Sequence, residues 1–200
     1  MKYTFLCLFT LFLICSCTAT TPQNTDNICE VFKEKDDWYA DAKASYQKWG
    51  LPIHINMAIM HQESRFVADA QPPRPKLLGF IPWFRSSSAY GYPQAQDSTW
   101  NDYLKANGSW GADRDDFTDA CDFIGWYCAI SHKKLGISKW DSEKLYLAYH
   151  EGHGGYQRKT YLKKPWLTRT AKKVAQQSKR FSAQLSGCKQ ELESKPWFFW

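Results

Sequence analysis

Apolar residues recur at three- and four-residue spacing in several well-separated stretches of this chain, and runs of strict alternation are almost absent. That periodicity points to packed helices, each burying one stripe. Trp38, Ala42, Tyr46 and Trp49 mark a helix from Asp36 to Trp49, closed by Gly50. Pro52 suits the first turn of the next helix, Ile53 to Glu63. Phe117, Ala120, Cys121, Ile124, Cys128 and Leu135 form one stripe of a helix from about Asp116, ended by Gly136. Asp141 is placed to cap another helix that reaches about Glu151, before Gly152. Pro165 opens a last helix to about Ser186, with Ala171, Val174, Ala175, Ser178, Phe181 and Leu185 on one face. The expected fold class is mainly α.

Pro72, Pro73 and Pro75 interrupt this pattern and make residues 71–88 a loop rich in Pro, Arg and aromatic residues. It carries Phe80, Trp83 and Phe84.

The N-terminal stretch indicates a compartment. Lys2 precedes an apolar run from Tyr3 to Ile14, then Cys15, Ser16 and Cys17. The run is shorter than the roughly 20 residues a spanning helix needs. It reads as a secretory signal. Ile14-Cys15-Ser16-Cys17 also resembles a bacterial lipoprotein signal. That resemblance implies a lipid on Cys17, attachment to a membrane and, in a host with two membranes, the periplasmic face of the outer one. A plain secretory signal with an incidental Cys is the alternative. Thr18 to Asn27 are polar and read as a tether. The expected division is a signal over 1–16, a tether over 17–28 and a single folded domain over 29–200.

Of seven Cys, four lie beyond the signal: Cys29, Cys121, Cys128 and Cys188. Cys121 and Cys128 stand seven apart in a helical pattern, a rise of about 10 Å that a disulfide cannot bridge. They read as buried apolar residues. Cys29 and Cys188 flank the domain and could staple its ends in an oxidising compartment.

Composition excludes other classes. The 200 residues are 44% apolar and 23% charged, which is globular rather than disordered. The net charge is +6, or +5 without Lys2, and no Lys/Arg run of the kind that neutralises a phosphate row is present. The excess suits an acidic polymer and gives no case for nucleic acid.

One carboxylate stands out. Ile55, Ile59 and Glu63 lie at i, i+4 and i+8, on one helix face. A glutamate that continues an isoleucine stripe points toward the core side. Desolvation disfavours its charged form and raises its pKa, as a general acid near neutral pH requires. The plainer reading is a solvated last turn. His150-Glu151-Gly152-His153 invites a zinc reading, but its two His are three apart, not four, and no Cys/His partner set lies nearby. No metal or cofactor is expected. Ser/His/Asp catalysis lacks its G-x-S-x-G elbow. Aromatic residues make up 16% of the chain, which core packing explains for the most part, although some could line a sugar groove.

Ala58-Ile59-Met60-His61-Gln62-Glu63-Ser64-Arg65-Phe66 resembles the Glu-Ser helix end of lytic transglycosylases with the goose-type lysozyme-like fold. Ala89-Tyr90-Gly91-Tyr92-Pro93-Gln94 resembles their Gly-x-x-Gln motif, and Leu147-Ala148-Tyr149-His150-Glu151-Gly152 their Ala-Tyr-Asn-x-Gly motif. The three occur in the family's order, and the resemblance covers about Asp36 to Arg180. Three departures stand out. His150 replaces an Asn, Gln94 follows Glu63 by 31 residues, and Tyr92-Pro93 stand where Leu-Met is usual. They point to a divergent lipoprotein subgroup.

The resemblance implies a lysozyme-like catalytic domain that cleaves peptidoglycan between N-acetylmuramic acid and N-acetylglucosamine and leaves a 1,6-anhydro end. Glu63 would be the general acid and base. Ser64, Tyr92, Gln94, Tyr149, His150 and Glu151 would contact substrate, with Tyr149 near Glu63. A hydrolytic muramidase on the same fold would need a second carboxylate, for which Asp69, Asp97 and Glu151 are the candidates. A non-catalytic wall-binding lipoprotein is the reading from another class. Residues 71–88 join two motifs that must converge, so they are expected to cover the groove as a lid; the alternative is that their rings only pack the loop onto the domain.

Overall fold

The computed structural model describes residues 19–82, 84–85 and 87–194. The signal, Cys17 and Trp83 lie outside the described residues. The elements run α1 (Ile28–Glu34), α2 (Trp38–Trp49), α3 (Ile53–Ser64), β1 (Lys76–Leu77), β2 (Ile81–Pro82), α4 (Asp97–Asn107), α5 (Phe117–Leu135), α6 (Ser142–Gln157), a 3-10 turn (Thr160–Lys163) and α7 (Pro165–Ser194). The fold is mainly α and lysozyme-like, as expected.

The helix that carries Glu63 is the innermost. Nine of the twelve residues of α3 are buried, which makes it a core helix rather than a surface one. It packs on α2, α5 and α7. A buried Asn56 ties it to α5, donating from Nδ2 to the Cys121 carbonyl at 2.9 Å, and Ser45 of α2 donates to the same oxygen at 2.7 Å. The helices α2 and α5 lie close together because Gly125 has no side chain. A Cβ there would meet Trp49 Cδ1 at 2.6 Å and Ser45 Oγ at 2.7 Å. At the other end of this seam Trp38 stacks on Phe117 with ring centroids 3.8 Å apart.

Along the opposite side runs α7, thirty residues or about 45 Å of helix. Its buried stripe includes Leu167, Ala171, Val174, Phe181, Cys188 and Leu192. The helix runs past the expected end at Ser186 because Cys188 and Leu192 continue that stripe. Cys188 is disulfide-bonded to Cys29 of α1, 159 residues away in sequence, and Cys121 and Cys128 are free and buried.

Three expectations need correction. The segment read as a tether is docked on the domain. Pro22 is buried, the Gln23 amide donates to Glu34 at 2.9 Å, and Asn24 Nδ2 donates to Glu30 at 2.6 Å. Asn27 caps α1, so the folded unit extends N-terminally of Cys29. The stretch 71–88 is not structureless, since β1 and β2 pair antiparallel with Leu77 opposite Ile81. The helix expected to stop before Gly152 bends there (φ 72°, ψ 158°) and resumes to Gln157. Glycine tolerates that conformation, and any other residue would strain it.

Candidate active site

Glu63 occupies the last turn of α3. The turn that follows is unusual, because Arg65 and Phe66 both adopt left-handed backbone conformations, with φ of 54° and 62°. Each costs about 1–2 kcal/mol in a residue with a Cβ. Complete burial of the Phe66 ring, between Trp38 and His61, offsets that cost and holds the helix end in place. The packing of Phe66 therefore anchors the chain just past Glu63.

The Glu63 carboxyl faces a cleft of about 400 Å³. Its Oε1 is buried without a hydrogen-bond partner among the described residues, and the nearby Tyr146 hydroxyl favours the charged carboxylate. Burial pushes the pKa from 4.5 up to about 7, against the lowering effect of the Tyr146 hydroxyl. At neutral pH the group is poised between its two forms, as an acid that must also act as a base requires.

The second motif crosses the cleft through a tight turn. Gly91 has φ 75°, and a Cβ on it would stand 2.1 Å from the Arg114 carbonyl oxygen, so only glycine fits. The turn delivers Gln94, also left-handed at φ 49°. Its amide nitrogen donates to the carbonyls of Ala70 at 2.7 Å and Gly91 at 2.9 Å. Both amide hydrogens are thereby used, and what Gln94 offers a ligand is its oxygen.

From α6 come Tyr149, His150, Glu151 and Gly152 on the cleft wall, together with Phe123 and Tyr127 of α5. The Tyr149 hydroxyl donates to the Pro93 carbonyl at 2.7 Å, which clamps the second motif to the third. Tyr149 stands close enough to Glu63 for the two to interact electrostatically, as does Tyr146, one helical turn earlier. Burial holds the His150 pKa below its ordinary value, leaving the ring neutral. That ring sits edge-on to Trp166 at 5.1 Å. The Glu151 side chain is only 3% exposed, and Lys164 Nζ lies 2.6 Å from it. Thr160 also donates to this carboxylate. Burial alone would raise its pKa, but the bonds from Lys164 and Thr160 outweigh burial and hold it low.

Two expected contacts are not brought to the cleft. Tyr92 is 2% exposed and packs edge-on against Trp38 and Phe117, because the turn at Gly91 aims it into the core. Ser64 is buried, and its hydroxyl donates back to the Met60 carbonyl at 3.3 Å, the usual retreat of a serine within a helix. Of the candidate second carboxylates, Asp69 is exposed and Asp97 pairs with Arg114 at 2.9 Å; neither lines the cleft. Among the described residues no group of His, Cys, Asp and Glu could hold a metal ion. His153 bonds Ser131 at 3.0 Å and stacks on Tyr127.

Tyr146, Thr160, Lys164, Phe123 and Tyr127 were not singled out by sequence. Tyr146 carried a signal, since it lies three residues before Tyr149 on the same helix. Ser87, at the end of the 71–88 stretch, and Ala89, just beyond it, line both this cleft and a second cavity of about 680 Å³. That stretch therefore borders the cleft. Phe80 and Phe84 are 72% and 81% exposed, so neither ring is buried in packing the stretch onto the domain.

A search of the curated proteins and of the solved structures found no match to this chain. The family described as "Transglycosylase SLT domain" matches residues 5–188, nearly the whole chain. The chain therefore belongs to the transglycosylase SLT domain family, and its folded part is a lytic transglycosylase domain for peptidoglycan.

Proposed function

We propose that this protein cleaves the β-1,4 bond between N-acetylmuramic acid and N-acetylglucosamine without water, with Glu63 as the only acid and base. The observation that carries this reading is the inventory of carboxylates on the cleft. Glu63 is half-protonated near pH 7, and Glu151, the other carboxylate on the wall, is committed to Lys164 and Thr160. An ordinary glycosidase needs two working carboxylates.

Protonated Glu63 gives its proton to the glycosidic oxygen as the bond to the muramic anomeric carbon breaks. The muramic 6-hydroxyl oxygen attacks that carbon and closes the 1,6-anhydro ring. Its proton passes to Glu63, which returns to the acid form. Atoms balance with no water consumed. The Gln94 oxygen accepts from a sugar hydroxyl or N-acetyl N–H, and neutral His150 supplies one donor or one acceptor. Phe123, Tyr127 and Tyr149 offer ring faces and edges to the sugars.

The same reading takes Cys17 as the lipidated residue that holds the domain at the periplasmic face of the outer membrane. The segment from Thr20 to Asn27, docked on α1, then leaves very little free chain between lipid and domain.

Mass spectrometry of digested sacculi tests the reaction. Anhydro ends with wild type and none with Glu63→Gln are expected. Reducing ends would establish a hydrolase instead, and no products from wild type would establish a wall-binding protein.

A further inference from the structure

Another face of α3 borders a polar cavity of about 280 Å³ that shares no lining residue with the Glu63 cleft. His61 and Arg65 line it from α3, one turn apart. Lys173, Gln177 and Arg180 line it from α7, at i, i+4 and i+7. Asp26, from the docked N-terminal segment, is its only carboxylate. Burial holds the His61 pKa down to about 4, so the ring is neutral at pH 7. Three cations against one carboxylate then leave an excess of two positive charges. Asp26 lies 3.2 Å from His61 Nε2 and 3.8 Å from Arg65 Nη1, so it serves the α3 side. Among the described residues Lys173 and Arg180 pair with no carboxylate, and the Lys173 side chain makes no hydrogen bond.

Two buried polar side chains hold this charge in place. His61 and Gln177 are 5% and 4% exposed. Arg65 Nη1 stands 2.8 Å from His61 Nε2, which orients its guanidinium. Arg180 donates to Gln177 Oε1, which orients the second guanidinium. The other end of that amide, Gln177 Nε2, is buried with no acceptor among the described residues. A buried donor left unpaired is costly, and an anion oxygen at this wall would pair it. Two guanidinium groups, an ammonium and an amide N–H thus line one small space, a donor set suited to a compact oxyanion.

We propose that the cavity between Arg65, Lys173 and Arg180 binds a phosphate monoester. Such a group carries a charge of about −1.5 to −2 at neutral pH and three acceptor oxygens, which match the excess charge and the donors. A carboxylate or a phosphodiester carries a single charge and leaves the other uncompensated. Gln62 and Arg65, which stand on either side of Glu63 and Ser64 in the chain, both line the cavity. A ligand held between Arg65 and Lys173 therefore ties the helix end that carries Glu63 to α7. The site uses no residue of the cleft and does not depend on the reaction read there.

Calorimetric titration of the full-length protein with methyl phosphate, dimethyl phosphate and acetate tests the site. Methyl phosphate should bind at least about tenfold more tightly than the other two, the size of one charge-assisted bond. It should also raise the melting temperature, as any ligand of the folded state does. Lys173→Gln should weaken the binding about threefold, the scale of an exposed charge pair. Lys173→Glu should abolish it, and the melting temperature of each variant without ligand reports that the fold is kept. Sedimentation with phosphatidylcholine vesicles, with and without phosphatidate, separates the two sources of the group. Retention by phosphatidate vesicles that Lys173→Glu abolishes assigns it to a lipid headgroup. Binding of methyl phosphate without such retention assigns it to a soluble ligand. Equal affinity for methyl and dimethyl phosphate overturns the proposal. So does binding that persists in Lys173→Glu, or failure of both methyl phosphate and phosphatidate vesicles to bind.

Discussion

The Tyr146 hydroxyl lies beside the Glu63 carboxylate, on a side chain that is itself 3% exposed and absent from the cleft wall. A hydroxyl held off the cleft wall leaves the cleft side of the carboxyl free for the glycosidic oxygen. It also favours the ionised form, and so keeps the burial-raised pKa from rising beyond about 7.

Tyr146→Phe should therefore move the alkaline limb of the kcat/KM profile to higher pH. Without the hydroxyl, Glu63 holds its proton longer, and the acid form persists further into base. The fold should survive, because the ring remains and only a hydroxyl is removed. The profile is read from release of anhydro products between pH 5 and 9. An unmoved limb would mean that Tyr146 does not act on Glu63.

Glu63 should also cost the protein stability in base. Its folded pKa of about 7 lies above the unfolded value of 4.5, so the folded state binds the proton more tightly. The stabilisation this gives relative to the ionised group is complete below pH 4.5 and is lost as pH rises through 7. At pH 8 the buried charge costs up to about 3 kcal/mol. Glu63→Gln should then melt higher than wild type at pH 8, with the gap closing below pH 4.5. Melting curves across that range decide it, and a constant gap would rule out Glu63 titration as its source.

The Cys29–Cys188 bond closes a loop of 159 residues between α1 and the far end of α7. Cys29→Ser should lower stability by about 2–5 kcal/mol. Reduction of wild type should have a similar effect. The free cysteines should stay silent toward alkylating reagents in the folded state, since burial is the first cause that raises both thiols. Peptide mapping after alkylation of native protein checks this, with label on Cys121 or Cys128 as the contrary result.

How much of this was legible in the sequence depended on whether an element carried its own period. The helices α2, α3, α5 and α7 carry apolar residues at helical spacing and stand where that spacing put them, except that α7 runs on past Ser186 to bury Cys188 and Leu192. The short helix α1 has only Ile28, Val31 and Phe32 to bury, too few to rise above the polar segment before it. The Glu63 position was readable because Ile55 and Ile59 precede it on the same face. Tyr92 and Ser64 were misassigned because motif adjacency does not report side-chain direction. A left-handed Gly91 turns Tyr92 inward, and a helical backbone gives Ser64 its own acceptor. The partners of Glu151 come from a 3-10 turn and a helix start 9 and 13 residues away, and no local pattern announced them.

Glu151 separates the two glycan-cleaving readings. Its carboxylate is held by Lys164 and Thr160 and lies 3.4 Å from His150 Nδ1. In a two-carboxylate hydrolase Glu151→Gln would cost the typical 10²–10⁴-fold of a lost acid or base. If Glu151 only supports the wall, the same change leaves the products as 1,6-anhydro ends and lowers kcat less than tenfold. The loss appears instead in stability. Half-exposed Lys164 can turn to water, so the cost is about 1–2 kcal/mol rather than the 3–5 of a fully buried pair. That is a fall of several degrees in melting temperature for a chain of this size. The pH sign is opposite to that of Glu63. Bonds from Lys164 and Thr160 hold the folded pKa of Glu151 below 4.5. The stabilisation is present above pH 4.5 and fades as pH falls through the folded value. Wild type should therefore lose its advantage over Glu151→Gln in acid, whereas Glu63→Gln gains its advantage over wild type in base. Melting curves of both variants on one pH axis, with product analysis at pH 7, test the pair. Loss of anhydro products in Glu151→Gln at unchanged stability would make Glu151 a working catalytic group.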